Sequence, residues 1–454
     1  AAIVVGILSP KLVLEALPGG GTQLNLLNAL SKVAEGFGST MGKIGISIAL
    51  ATIIGKALMD SGAADRIVRA FTRLFGEKRA SLALLLSGFV LSVPVFFDTV
   101  FFLLVPLAKA LNARTRQNYL FYLMAIGAGG AITHSLVPPT PGPITMAENL
   151  RVDLGMVILI GTLVGAPLAY IGYLYGKLID RLSPVEMRQV GDVTIEELEQ
   201  QALRPDSELP SLFWSVLPII LPVIMITTTT AVGSLITIPT VTGPENAHLA
   251  HGPVVEIGGT YVSILGVLQF FGDPKIALLF AMIIALRVVV RQKKMNLEQT
   301  GEFSTVALTE AAMILLITSA GGAFGEILKS IGLGDELKKL ADAGGISLLV
   351  LAWGMAVLFK VAQGSGTVAM VTTSSIVASM ITPDLGYNPV FLVMAIGCGS
   401  LVGSWMNDSG FWVIAKLGGL TEREALRSWT VNLAVMGIAG LPLVWLLTKI
   451  PWLN

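Results

Sequence analysis

Cysteine is almost absent. Cys398 is the one cysteine in 454 residues, which excludes an internal disulfide and any cysteine-held metal site. Histidine is scarce too, and His134, His248 and His251 make no evident metal cluster. Charge is thin: only 13% of residues are charged, about half the usual share of a soluble domain. Thirty basic and thirty acidic residues cancel, so there is no basic excess for a nucleic acid to bind. A water-soluble protein of this size could not clothe its surface with so few charges. With 54% hydrophobic residues and a mean hydropathy of +0.77, the chain reads as a polytopic, all-α membrane protein.

Uninterrupted apolar runs long enough to cross a bilayer occupy Gly42–Asp60, Val152–Leu178, Leu212–Leu235, Pro274–Val290, Val306–Leu328 and Leu426–Leu447. The opening run, Ala1–Leu8, is shorter than the roughly 20 residues a span needs, and no charged n-region precedes it, so it reads as the tail of a helix. Four further apolar stretches are broken by polar, proline or glycine residues: at Ser92–Asp98, His134–Gly142, Gln363–Thr367 and Ser404–Gly410. Proline removes a backbone donor and glycine weakens a helix. Unpaired backbone at membrane depth costs several kcal/mol per group unless protein or a watery cavity satisfies it. Four such breaks therefore point to a purpose at the midplane.

The two halves repeat at a constant offset of 270 residues. Gly55 falls on Gly325, Gly62 on Gly332, Asp65 on Asp335, and Met124-Ala125-Ile126-Gly127 on Met394-Ala395-Ile396-Gly397. Each half reads as helix, amphipathic linker, interrupted hairpin, broken helix, helix. The expected division is 1–41 as a helix tail and linker, 42–181 as the first repeat, 182–303 as connecting loops and helices, and 304–454 as the second repeat. Arg66, Arg69, Arg73, Lys78 and Arg79 flank the first hairpin, with Arg114 and Arg116 beyond it. No Lys or Arg lies between Arg204 and Lys275. The positive-inside rule then puts 61–79, 112–117, 180–210 and 287–303 in the cytoplasm and 236–273 outside. Lys329, Lys338 and Lys339 fall outside and are expected on an amphipathic surface helix. Counting crossings, the second hairpin enters from the opposite face, so the halves are expected to be inverted copies. Inverted repeats with discontinuous helices are the architecture of secondary transporters.

The breaks hold the candidate chemistry. An ionised side chain at the bilayer centre costs about 2.5–3.5 kcal/mol, so Asp98, Asp408 and the deep Lys360 call for a role or a partner. Asp98, Asp408 and His134 are the candidates to carry a proton. Gly364-Ser365-Gly366-Thr367 offers free backbone N–H groups and two hydroxyls, a nest for a carboxylate. Thr99, His134, Thr140, Ser404, Asn407 and Asp408 are candidates to meet substrate, with Lys360 as its countercharge. The acidic run at Glu196, Glu197 and Glu199 reads as a solvated linker. His248 and His251 read as loop residues, and Thr227–Thr230 as packing hydroxyls. No metal ligands or cofactor signature stand out.

Thr133-His134-Ser135-Leu136-Val137-Pro138-Pro139-Thr140-Pro141-Gly142-Pro143 resembles the double-proline break of the gluconate permease (GntP-type) family. Phe96-Phe97-Asp98-Thr99-Val100-Phe101 is similar to its first hairpin tip. Gly364-Ser365-Gly366-Thr367-Val368 is similar to the second tip, and Asn407-Asp408-Ser409-Gly410-Phe411-Trp412 to the second break. The resemblance implies a proton-coupled importer of gluconate or another sugar acid in a bacterial inner membrane. The wider ion-transporter superfamily implies a homodimer. Other members carry different aldonic or uronic acids and D-serine. Gluconate members carry Glu where this chain has Asp98, and a second His where it has Thr140. Sodium coupling through Asn407 and Asp408 is the alternative. An intramembrane hydrolase is disfavoured because Ser135, adjacent to His134, cannot present its hydroxyl to that base. A channel would need one continuous pore rather than two opposed hairpins.

Overall fold

A computed structural model describes residues 2–9, 14–16, 22–24, 26–115, 118–188, 205–235, 254–257 and 260–453. Arg116, the run at Glu196, Glu197 and Glu199, and His248 and His251 lie outside the described residues. The protein is overwhelmingly helical. Two short antiparallel hairpins, β1–β2 (Leu14–Ala16 with Thr22–Leu24) and β3–β4 (Val254–Ile257 with Thr260–Ser263), are the strands among the described residues.

The first half runs α1 (Ala2–Leu8), α2 (Leu26–Asp60), α3 (Ala63–Phe75), α4 (Ala80–Leu91), α5 (Phe97–Thr115), α6 (Tyr119–Leu136), α7 (Pro141–Leu150) and α8 (Leu154–Leu182). Connecting helices α9 (Leu212–Leu235), α10 (Ile264–Gly272) and α11 (Pro274–Lys293) come next. The second half runs α12 (Leu297–Ser330), α13 (Leu333–Ala343), α14 (Leu348–Gln363), α15 (Gly366–Val377), α16 (Val390–Gly399), α17 (Ser409–Leu417), α18 (Glu422–Ala425), a π turn over Leu426–Thr430 and α19 (Val431–Leu447). Six helices among the described residues are long and apolar enough to cross a membrane. At 1.5 Å per residue, the 12 residues of α4 and of α15 reach only about 18 Å, well short of a hydrocarbon core of roughly 30 Å.

Element bounds recur at the 270-residue offset: Ala63 opens α3 and Leu333 opens α13, and the glycine before each, Gly62 and Gly332, has φ of 79°. That left-handed turn is open to glycine at no steric cost. Two starts differ from expectation. α2 begins at Leu26 and α12 at Leu297, ahead of 42 and 304. Lys32 and Glu35 lower the hydropathy of the first stretch, yet they pair three residues apart at 2.7 Å on one helix face. In the second, Asn296 and Gln299 form a reciprocal capping box that starts the helix early. The fourth break is also longer than expected, since α16 ends at Gly399, before Ser404.

α2 and α12 pack along their length, with a Cβ at Gly36 meeting Glu326 and one at Gly322 meeting Thr40. α6 and α16 lie at the centre. Every residue of α16 is buried, as is every residue of α6 except His134, so their all-round apolar sequence has a cause. α4 approaches α6 so closely that a Cβ at Gly129 would collide with the Leu85 carbonyl. Thr229 donates to the Leu268 carbonyl at 3.0 Å and Thr230 to Asp153 at 2.6 Å, so the threonine run ties α9 to α10 and α8. On α13, Lys339 pairs with Glu336 and Lys338 donates to the Met380 carbonyl.

One end of the molecule gathers basic residues. Arg66 and Arg69 each reach Asp206 at 2.9 Å and Arg73 joins them. Lys293 reaches Asp60 at 3.3 Å. Hydrogen bonds from Arg69 and Arg73, with the charges of Arg73 and Arg66, hold the Asp206 carboxyl below the usual carboxylate range. A carboxylate so depressed adds stability that is complete above the unfolded value of about 3.9 and is lost as pH falls through the lower folded value. Asp206→Asn should therefore lower the thermal midpoint in detergent at pH 6–7, and the gap to wild type should close as pH is taken below about 4. Gly129→Ala should cost about 1–3 kcal/mol, the range for overpacking, read as a lower midpoint at every pH.

Candidate functional site

Four broken segments converge on one cavity of about 490 Å³. Asp98 and Thr99 come from the first turn of α5, His134 from the last turn of α6, and Ser365, Gly366 and Thr367 from the turn into α15. Lys360 comes from the last turn of α14 and Asp408 from the residue capping α17. Eight residues singled out in the sequence thus share one wall.

The centre of the site is an ion pair. Lys360 is 3% exposed, and its Nζ sits 2.6 Å from Asp408 Oδ2 and 2.6 Å from the Gly364 carbonyl. Ser404 also donates to Asp408 Oδ2, while the Gly410 N–H donates to Oδ1 at 3.1 Å. Both carboxylate oxygens are therefore engaged, and the last turn of α14 is closed onto the start of α17. Ser365 accepts from the Val368 N–H and so caps α15. Asp98 faces the cavity exposed, with no ion pair or hydrogen bond among the described residues. His134 Nδ1 is buried without a partner, and its ring meets Phe96 edge-on at 6.2 Å.

The other candidates do not line the cavity. Thr140 spends its hydroxyl on the carbonyls of His134 at 2.9 Å and Val137 at 3.0 Å, which closes the proline-rich turn. Gly364, at φ of 83°, caps α14 against the Asn407 backbone, where no side chain would fit. Asn407 donates to the Val361 carbonyl at 2.8 Å. Ser404 is fully buried between Asp408 and the Trp429 indole, which donates to it at 3.0 Å. These four shape the breaks rather than face the cavity.

Among the lining residues not singled out in the sequence, Glu310, Thr318 and Trp429 stand out. Glu310 interrupts the apolar run of α12, faces the cavity and lies 4.0 Å from Lys56. Like Asp98 it is an acid in an apolar run, and that pattern marks it in the sequence. Thr318 lies two turns further on, its hydroxyl buried and unpartnered. Trp429 carried no signal, since its place depends on the π turn. No group of His, Cys, Asp or Glu among the described residues is placed to hold a metal ion.

A family model described as GntP family permease matches residues 12–450. The chain belongs to that family. A gluconate permease of Pseudomonas aeruginosa is 32% identical over 418 residues, 92% of this chain and 87% of that protein. The inner membrane permease YgbN of Escherichia coli K12 is 32% identical over 416 residues, 90% of this chain and 86% of that one. The crystal structure of the YdaH transporter of Alcanivorax borkumensis matches in fold with a TM-score of 0.60 at 15% identity, over 100% of this chain and 96% of that one. This GntP-family protein is a permease, not an enzyme, and a multi-pass protein of the bacterial inner membrane.

In the permease the Lys360–Asp408 pair predicts its own mutational signature. Removing one partner leaves a buried charge uncompensated, at a cost of about 3–5 kcal/mol, whereas replacing both is close to neutral. Lys360→Met should sharply lower the thermal midpoint in detergent. Lys360→Met with Asp408→Asn should recover most of the loss. A single variant as stable as wild type would show that the pair is not desolvated.

Proposed function

We propose that this permease imports a sugar acid, gluconate or a close relative, by proton symport. One observation carries the reading: the charge left unpaired on the cavity wall, among the described residues, is a carboxylate, Asp98. Lys360 is neutralised by Asp408 and Glu310 faces Lys56. An anionic substrate entering beside ionised Asp98 meets a like charge, which is unfavourable. Protonating Asp98 removes that repulsion. Proton and anion then favour each other's binding by the same factor, as linkage requires.

The substrate carboxylate is assigned to the N-terminus of α15, where Ser365, Gly366 and Thr367 line the cavity and the helix dipole favours negative charge. Lys360 lies alongside and can turn from Asp408 to the incoming carboxylate. His134 and Thr99 are placed for substrate hydroxyls, and the unpartnered Nδ1 of His134 gives it a hydrogen bond to make. The name of the Pseudomonas relative, a gluconate permease, supports the substrate class. The two halves are read as inverted copies, with α4–α5 and α14–α15 as re-entrant hairpins from opposite faces. The basic cluster of Arg66, Arg69, Arg73 and Lys293 at one end supports a cytoplasmic placement of that end. Sodium at Asp408 is less well supported, because both its oxygens already accept from donors.

Proteoliposomes carrying only a pH gradient should accumulate gluconate, and those with only a sodium gradient should not. Asp98→Asn should abolish accumulation yet keep counterflow exchange. Accumulation by Asp98→Asn, or uptake on sodium alone, would overturn proton coupling at Asp98.

A further inference from the structure

On the cavity wall itself, one buried side chain joins the two hairpin tips. Trp429 is 2% exposed and sits in the π turn Leu426–Thr430. Such turns are rare and widen a helix by one residue, which re-aims the side chains beyond the turn. On one side the Trp429 ring stacks on Phe97 with centroids 5.3 Å apart and planes 12° apart. Phe97 directly precedes Asp98 at the first tip. On the other side the indole Nε1 donates to Ser404 Oγ at 3.0 Å. Ser404 donates to Asp408, Asp408 holds Lys360 at 2.6 Å, and Lys360 holds the Gly364 carbonyl at the second tip. The neighbouring Thr430 hydroxyl grips the Ser404 carbonyl. The π turn therefore holds Ser404 by side chain and backbone at once.

This arrangement has no counterpart in the other half. At the 270-residue offset Trp429 falls on Leu159, which is 47% exposed on the outer face of α8. The second half alone turned this helix position inward with a large ring and an N–H donor.

The geometry points to Trp429 as the positioning residue of the transport cycle: through Ser404 it sets the Lys360–Asp408 pair, and through Phe97 it ties that pair to the tip bearing Asp98. Releasing Lys360 to substrate and shifting the first tip then become one event. This rests on the proposed symport only for its transport readout. The linkage itself is tested without substrate.

Trp429→Phe keeps a ring against Phe97 and removes the donor to Ser404. In a thermal-unfolding double-mutant cycle in detergent with Asp408→Asn, the double variant should lose clearly less than the sum of the two single losses, since contacts in one network are not additive. In proteoliposomes Trp429→Phe should raise the KM for gluconate about fivefold or more while the maximal rate stays within about twofold, the split expected when binding shared by the ground and transition states is weakened. Additive losses in the cycle, or a Trp429→Phe KM equal to that of a wild type that transports gluconate, overturn the inference. Should wild type transport no gluconate, the substrate reading fails and the cycle still decides the linkage.

Discussion

A lysine and an aspartate paired away from water hold this molecule's centre together. Lys360 and Asp408 lie on separate broken segments, and neither would tolerate burial alone. Their attraction offsets desolvation only because further donors and acceptors complete the set: the Gly364 carbonyl, the Ser404 hydroxyl and the Gly410 N–H. That set closes the second tip onto the second break. The cavity exists because those backbone ends are held together there.

The rest of the fold supplies rigid surroundings for that meeting. α6 and α16 are buried all round and sit side by side. Glycines allow backbone to approach backbone, as Gly129 does at Leu85 and Gly397 at Ser135. Close small-residue contacts are how helices associate where lipid removes the usual hydrophobic drive. α2 and α12 form a long paired wall to one side, with Glu310 and Thr318 facing the cavity from α12.

The two halves share a plan and divide the chemistry unequally. The free acid, Asp98, stands in the first half, and the paired charges stand in the second. At the shared offset Lys360 falls on Val90 and Asp408 on Pro138. The breaks recur near the 270-residue offset, while the charged residues at them do not. Asymmetric substitution separates a free acid in one half from a paired lysine and aspartate in the other.

Composition and periodicity alone determined the class, the positions of the four breaks and the repeat. Those come from local physics: apolar length against bilayer thickness, and proline and glycine against helix continuity. The same logic flagged Asp98, Lys360 and Asp408, because a charge in an apolar run is costly wherever it ends up. Tertiary structure alone decided which of the flagged groups face the cavity. Thr140, Gly364, Ser404 and Asn407 sit within a few residues of wall residues, yet their polar atoms turn to nearby backbone, side chains or tight turns. Early starts of α2 and α12 came from an ion pair and a capping box that a hydropathy window does not weigh. The placement of Trp429 was illegible because it arises from a π turn and from partners more than twenty residues distant or in the other half. Side-chain direction across a break depends on backbone angles and long-range packing, and neither is written in the spacing of residues.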